Sequence, residues 1–319
     1  MNNIHEWTVE ENYAGTRLDA AISQKFKNRI SRTKAQEMIK AGEITIANLQ
    51  TKANLKLKGG ERIQIKFPEQ EKEITLTATE LDFPIIFEDD HMVVINKPSG
   101  LVVHPGAGRE THTVVSALLG HTNLSPIGAP VRPGIVQRLD KETSGVMVLA
   151  KTAQAHKALV KSFSSHELDK EYLAIIQGHI VNKKGRIEVA IDRDKIHRKR
   201  MKATTPEKGR MAISRFEVIE YLKSTSFVKV AIETGRTHQI RVHMSFTGHP
   251  LLGDTTYGAR KLPQNQQHFL HSYRLVINHP VSNKGMEFKA KLPEKFAAKL
   301  IELGISEKQL ELYRQQTDN

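Results

Sequence analysis

In the segment Gly134-Ile135-Val136-Gln137-Arg138-Leu139-Asp140-Lys141-Glu142-Thr143-Ser144-Gly145 an arginine and an aspartate stand two positions apart, and the apolar run Val146 to Ala150 follows at once. Strand-like runs therefore flank a short polar loop that holds one carboxylate at a strand edge beside a fixed positive charge. A carboxylate so placed can act as a nucleophile or remove a proton. The same residues also spell a plain turn, in which Asp and Ser bond their own backbone and Gly145 takes a left-handed position. A structural salt bridge of Arg138 with Asp140 or Glu142 fits beside either reading. Farther on, Asp192-Arg193-Asp194-Lys195-Ile196-His197-Arg198-Lys199-Arg200-Met201-Lys202 is the densest basic patch of the chain. Alone, such a run reads as a solvated loop.

The elements that must position these groups fall into two sets, residues 1–76 and residues 77–319. In the first, Trp7-Thr8-Val9 reads as a strand, and Arg17 to Phe26 as a helix with Leu18, Ile22 and Phe26 on one face. Ser31 offers an N-cap for a second helix from Arg32 to Lys40 that Gly42 stops. Glu43 to Ile46 and Glu61 to Ile65 alternate like strands. The charged stretch Pro68 to Glu73 reads as the start of a linker. Beyond it, Pro84 to Pro98 reads as two short strands around an acidic turn, and Thr152 to Phe163 as an amphipathic helix. Further strands are expected at Glu171 to Gln177, Ser214 to Tyr221, Ser226 to Glu233 and Tyr273 to Ile277, and a solvated terminal helix over Glu294 to Gln315. Many strands with few helices between them predict an α+β domain with a mainly antiparallel, mixed sheet, following a small N-terminal α/β module.

Composition narrows the partners. The 319 residues carry a net charge of +13, which favours a polyanion, and neutralised phosphates release condensed counterions. No apolar run is long enough to span a bilayer and no lipidation signal is visible, so nucleic acid is preferred to a membrane. With no cysteine, disulfides, thiolate catalysis and Cys-ligated zinc are excluded. None of the 15 histidines sits in a zinc pattern, and the glycine-rich Gly106 to Thr111 lacks the ending of a nucleotide loop, so neither metal nor nucleotide cofactor is expected. The N-terminus shows no secretory pattern and no heptad repeat is evident, which predicts a cytoplasmic monomer.

The Asp140 string resembles the central motif of the pseudouridine synthases, in the branch typified by RluA and RluD that acts on large-subunit ribosomal RNA. The likeness recurs in the family's order at Asn96-Lys97-Pro98-Ser99-Gly100-Leu101-Val102-Val103-His104-Pro105-Gly106, at Asp169-Lys170-Glu171-Tyr172-Leu173-Ala174, at Glu233-Thr234-Gly235-Arg236-Thr237-His238-Gln239-Ile240-Arg241-Val242-His243, and at Gly248 to Gly258. Together these strings cover most of the chain from about Pro84 to Phe296. The N-terminal module is similar to the RNA-binding domain named after ribosomal small-subunit protein four, at Arg17-Leu18-Asp19, Ile30-Ser31-Arg32, Ile39-Lys40-Ala41-Gly42 and Lys58-Gly59-Gly60-Glu61. That family usually carries an Asn-Gly turn where Asn48 is followed by Leu49, which predicts a longer or distorted hairpin here.

The resemblance implies that Asp140 acts at the ribose, as nucleophile or as base, with Arg241 as its cation, and that Tyr172 stacks on the target uracil and assists the late proton removal. It makes Arg138 the side chain that enters the RNA stack when the uridine is flipped out. Arg32 and Lys40 of the N-terminal module, and Arg198, Lys199 and Arg200 of the basic run, become RNA-gripping residues. Gln137 is the departure, since the branch usually has His there; a side chain with both a donor and an acceptor is expected to support the loop in its place. Alternative readings are a synthase acting on transfer RNA, a non-catalytic RNA-binding or ribosome-assembly protein, and an RNA hydrolase, for which several acidic metal ligands would be needed.

Overall fold

The computed structural model describes residues 4–27, 29–67, 76–106, 110–165, 168–197, 200–262 and 268–314. The chain divides into two units, Met1–Ile74 and Thr75–Asn319. In the first, β1 (Ile4–Thr8) is followed by α1 (Leu18–Lys25), α2 (Arg32–Lys40), β2 (Ile44–Ile46), β3 (Leu49–Gln50) and β4 (Arg62–Lys66). The four strands form an antiparallel sheet in the order β1-β4-β2-β3. Ser31 caps α2 by accepting the Lys34 N–H, and Gly42 follows the helix at φ 74°. Alternating strand residues such as Ile63 and Ile65 meet Leu18 and Ile22 of α1 and Met38 and Ile39 of α2 in one core, with Trp7 among them. The β2–β3 connection is a tight two-residue turn rather than a longer hairpin, because Ala47 and Asn48 both take positive φ, 48° and 68°. Asn48 tolerates that region, and Ala47 enters it without glycine's freedom.

The second unit runs β5 (Ile85–Glu88), β6 (Met92–Lys97), α3 (Val114–His121), β7 (Ser144–Ala150), α4 (Ala153–Ser165), β8 (Asp169–Gln177), β9 (Lys184–Glu188), β10 (Ala190–Arg193), β11 (Met201–Thr204), β12 (Ile213–Tyr221), β13 (Thr225–Ile232), α5 (Gln239–Phe246), β14 (Leu270–Asn278), β15 (Gly285–Lys289), α6 (Glu294–Leu303) and α7 (Glu307–Glu311). Nine strands share one sheet in the order β5-β6-β7-β14-β8-β13-β12-β9, with β15 also on β14, while β10 and β11 form a separate hairpin. Every pairing in the large sheet is antiparallel except the short β7–β14 contact, where Ser144 and Gly145 lie beside His271 and Ser272. β14 thus joins two halves of the sheet, pairing with β7 through its first residues and with β15 through its last.

Helices cover both faces, which is why β7 is buried along its whole length and reads as a continuous apolar run. On one face Val93, Ile95, Met147, Leu149 and Ala174 pack with Val114 and Leu118 of α3 and Ile240 and Met244 of α5. On the other, Val94, Val146 and Val148 meet Ala155 and Leu159 of α4. Leu173 and Phe227 on that face meet Phe296 and Leu300 of α6 and Leu310 of α7. The C-terminal segment is therefore two helices that close the core rather than one solvated helix. Phe296 and Leu300, four apart, give α6 its buried stripe, and Gly304 ends it at φ 88°.

Candidate active site

The seam between the two sheet halves places the polar loop. Gly145 sits there at φ 111°, and a Cβ on it would stand 2.1 Å from the Ser272 carbonyl oxygen, so only glycine lets β7 approach β14 this closely. The loop before it is held at nearly every residue. The Thr143 N–H donates to the Asp140 carbonyl over 3.1 Å, the Lys141 carbonyl accepts from Lys97 Nζ at 3.0 Å, and the Glu142 carbonyl accepts from Ser99 Oγ at 2.8 Å. Thr143 Oγ1 and Ser144 Oγ bond His268 Nε2 and His271 Nδ1, at 3.2 and 2.9 Å. Burial pushes both imidazoles down to about 4, so they are neutral partners. Lys97 is fully buried, and its ammonium donates to the carbonyls of Pro98, Leu101 and Lys141.

Asp140, presented by this rigid loop, is 18% exposed. Its Oδ2 accepts from Arg241 Nη1 at 3.1 Å, and His238 Nε2 stands 3.6 Å from the same oxygen. Oδ1 engages no donor among the described residues. Arg241 turns its remaining fork to Asp254, with Nε to Oδ2 at 2.7 Å and Nη2 to Oδ1 at 2.9 Å. Burial opposes the cation, but the hydrogen bonds to Asp254 outweigh it and hold the guanidinium above its ordinary range. Arg241 comes from α5, which is pinned from beneath. Gln239 Nε2 donates to the Ile213 carbonyl and to Ser214 Oγ, and its Oε1 accepts from Thr234 and from the Arg236 N–H. His243 bonds Ser214 Oγ and the Val189 carbonyl.

Tyr172, on β8 opposite Ser272 of β14, is 7% exposed and completes the wall beside Asp140. Burial, aided by the negative charge of Asp140, pushes its phenol up to about 12 despite a hydrogen bond with Ser272. The ring therefore stays protonated, which suits stacking and leaves little phenolate to act as a base at neutral pH.

The geometry separates the two arginines that the sequence offers to Asp140. The paired cation is Arg241, whereas Arg138 lies exposed and makes no ion pair with Asp140 or Glu142 among the described residues. Gln137 is half-buried, and its Nε2 has no hydrogen-bond partner among the described residues. Arg200 lies half-buried with its guanidinium 5.3 Å from the centre of the Tyr257 ring, at the rim of the site. Arg198 and Lys199 lie outside the described residues. In the N-terminal unit, Arg32 is an exposed side chain on Asp19, and Lys40 is exposed at the end of α2.

Residues 91–246 match the RNA pseudouridylate synthase family. The chain is 39% identical over 298 residues to the uncharacterized RNA pseudouridine synthase YlyB of Bacillus subtilis, a match that covers 93% of this chain and 97% of that one. It is 36% identical to the ribosomal large subunit pseudouridine synthase D of Zymomonas mobilis, covering 90% and 93%, and 38% identical to that of Vibrio cholerae, covering 90% and 91%. Among solved structures, human RNA Pseudouridylate Synthase Domain Containing 1 superposes with a TM-score of 0.56 at 25% identity, over 75% of this chain and 97% of that one. The chain belongs to the RNA pseudouridine synthase family. It is an isomerase that converts uridine to pseudouridine within RNA.

In this synthase, His238, Asp254, Tyr257 and Lys97 join the site, although sequence reasoning assigned them no role. Each lies inside one of the recognised strings, and that membership was the available signal. Among the described residues no group of three His, Asp or Glu is placed to hold a metal ion, and no helix is long and apolar enough to cross a membrane.

Proposed function

We propose that this synthase isomerises uridines of large-subunit ribosomal RNA, with Asp140 as the reacting carboxylate. The observation that carries the reading is the division of labour on that one side chain, Oδ2 held by Arg241 and Oδ1 unengaged among the described residues, in a loop fixed on both flanks. In the isomerisation the bond from ribose C1′ to uracil N1 breaks, a bond from C1′ to C5 forms, the C5 hydrogen leaves to solvent and N1 regains a proton. Nothing is oxidised or reduced and no group is donated, so neither metal nor organic cofactor is required. Oδ1 serves as nucleophile or base at the sugar, and the buried Arg241 pairs with the carboxylate and aims it. Tyr172 offers a ring face to the flipped uracil, and the exposed Arg138 fills the space the base leaves.

Two further features support RNA of this size and kind. Relatives matching nine-tenths of the chain bear the large-subunit name. The N-terminal unit, with Arg32 and Lys40 exposed on α2, is read as a ribosomal-protein-four-like module that grips structured RNA, and the 192–202 run as a second grip. The working form is taken to be a cytoplasmic monomer.

The test is tritium release from RNA labelled at uracil C5, comparing wild type with Asp140→Ala on large-subunit ribosomal transcripts and on transfer RNA. Release by wild type from the ribosomal transcript, with none from the variant, is expected. Release from transfer RNA alone overturns the substrate, and release by the variant overturns Asp140.

A further inference from the structure

Tyr257 lies where three parts of the molecule meet. Its hydroxyl accepts the Met201 N–H at 2.9 Å, at the start of β11 in the basic hairpin, and bonds His238 Nδ1 at 2.8 Å. Its ring lies under two guanidinium groups, those of Arg241 at 4.9 Å and Arg200 at 5.3 Å from the ring centre. The ring is buried against Val242 of α5 and Ile191 of β10, so the hairpin's base and the helix bearing Arg241 share it. His238 in turn holds a left-handed backbone, φ 56°, at the N-cap of α5. For a residue other than glycine that conformation is uncommon.

The hydrogen bonds have a direction. With its oxygen accepting from the Met201 amide, the Tyr257 hydroxyl proton is free to go to His238 Nδ1. The imidazole proton then sits on Nε2, the atom that faces Asp140 Oδ2 at 3.6 Å. Asp140, Arg241, Asp254 and Arg138 are the charged groups that act on this ring, and burial, the largest influence, depresses its pKa. A gap of 3.6 Å is too long for a hydrogen bond, and contacts of this kind tighten when substrate is bound.

We propose that Tyr257 and His238 form a hydrogen-bond relay from the basic β10–β11 hairpin to Asp140, and that they are positioning residues for the isomerisation. RNA gripped by the hairpin presses the Met201–Tyr257–His238 chain onto Oδ2, which leaves Oδ1 as the reacting oxygen. This rests on the reading of Asp140 as the reacting carboxylate, which the Asp140→Ala comparison tests separately.

The experiment is single-turnover tritium release together with RNA binding, on Tyr257→Phe, His238→Ala, His238→Gln and the Tyr257→Phe/His238→Ala double variant of the full chain. Tyr257→Phe keeps the ring under both arginines and removes only the hydroxyl. It should slow release on the order of tenfold to a hundredfold with RNA affinity unchanged. The double variant should lose no more than His238→Ala alone, since both break one chain. His238→Gln, whose amide N–H falls near the place of Nε2–H, should recover part of the rate, and that comparison decides even if Tyr257→Phe folds poorly. Nitrogen NMR of labelled histidine should show the His238 proton on Nε2. Wild-type release by Tyr257→Phe, losses that multiply in the double variant, no recovery by His238→Gln, or a proton on Nδ1 would each overturn the relay.

Discussion

Asp19 in the N-terminal unit and Asp140 before β7 each meet arginine, and they differ in what is left over. Asp19 is fully buried, and both its oxygens are taken: Arg17 reaches Oδ1 and Oδ2 at 3.1 Å, while Arg32 and Gln36 donate to Oδ2 at 3.2 and 2.6 Å. Asp254 is in the same condition, both oxygens filled by the fork of Arg241. Asp140 takes one hydrogen bond, on one oxygen, and the other engages no donor among the described residues. A carboxylate with a donor on each oxygen is a fastening, since neither oxygen is left unengaged for a substrate. An arginine beside an aspartate therefore says little by itself, and the unengaged oxygen on a rigid loop is what marks chemistry.

The comparison breaks most visibly at Arg241, which serves both kinds of carboxylate at once. Arg241→Met should slow single-turnover release by at least about a thousandfold, through loss of a buried charge partner at the reacting group. It should also lower stability by about 3–5 kcal/mol, because Asp254, 1% exposed, is left buried without its cation. Urea unfolding alongside the release assay separates the two. Loss of activity with unchanged stability would mean that Asp254 is not fastened in the way described.

Lys97 sharpens the comparison from the cationic side. Burial pushes it down to about 7 against the pull of Glu142 and Asp140. Three carbonyls at 2.8 to 3.0 Å nevertheless match the three N–H groups that only the ammonium has, so the loop is built around the charged form. Lys97→Met should cost about 2–4 kcal/mol for carbonyls left without donors. Release should slow by a smaller factor than in Arg241→Met, since Lys97 makes no hydrogen bond to Asp140 among the described residues and holds it through the Lys141 carbonyl. An equal loss of rate would place Lys97 closer to the reaction than its geometry does.

What the sequence disclosed of this site follows from how each residue is fixed. Asp140, Tyr172 and Arg241 were legible because they sit in strings whose order is preserved. The pairing of Asp140 with Arg241 spans 101 positions and depends on where α5 lands, which no local pattern states. Arg138, only two positions away, lies exposed and makes no ion pair with Asp140 among the described residues. His238 and Tyr257 form a pair because the single helical turn Thr255–Tyr257 lies beside the N-cap of α5, a proximity no local pattern states. In the fold, β6, β7, β8 and β12 to β14 announce themselves by apolar runs, whereas β9 does not, since Ile187 is its one buried residue. The C-terminal helices read as solvated until Leu173 and Phe227 supplied the surface they cover.

The smallest effect belongs to Asp19→Asn, and it isolates fastening from chemistry. Asparagine keeps the shape and one acceptor but loses the charge that two arginines address, so stability of the N-terminal unit should fall by about 1–3 kcal/mol with the single-turnover rate at saturating RNA unaltered. Although burial raises the Asp19 pKa, hydrogen bonds from Arg17, Gln36 and Arg32 outweigh it and hold the carboxyl well below the usual carboxylate range. The folded pKa is thus depressed, so the charge contributes fully above the unfolded value of about 3.9 and is lost as pH falls from there toward the folded one. Trp7, the single tryptophan, lies in the same core and reports this unit alone by its fluorescence. Urea unfolding followed at Trp7 should show a gap between wild type and Asp19→Asn that is constant above about pH 5 and narrows below about pH 4. A gap that persists unchanged in acid would mean that Asp19 stabilises through its hydrogen-bonding shape rather than its charge, and the distinction between saturated and reacting carboxylates would then rest on geometry alone.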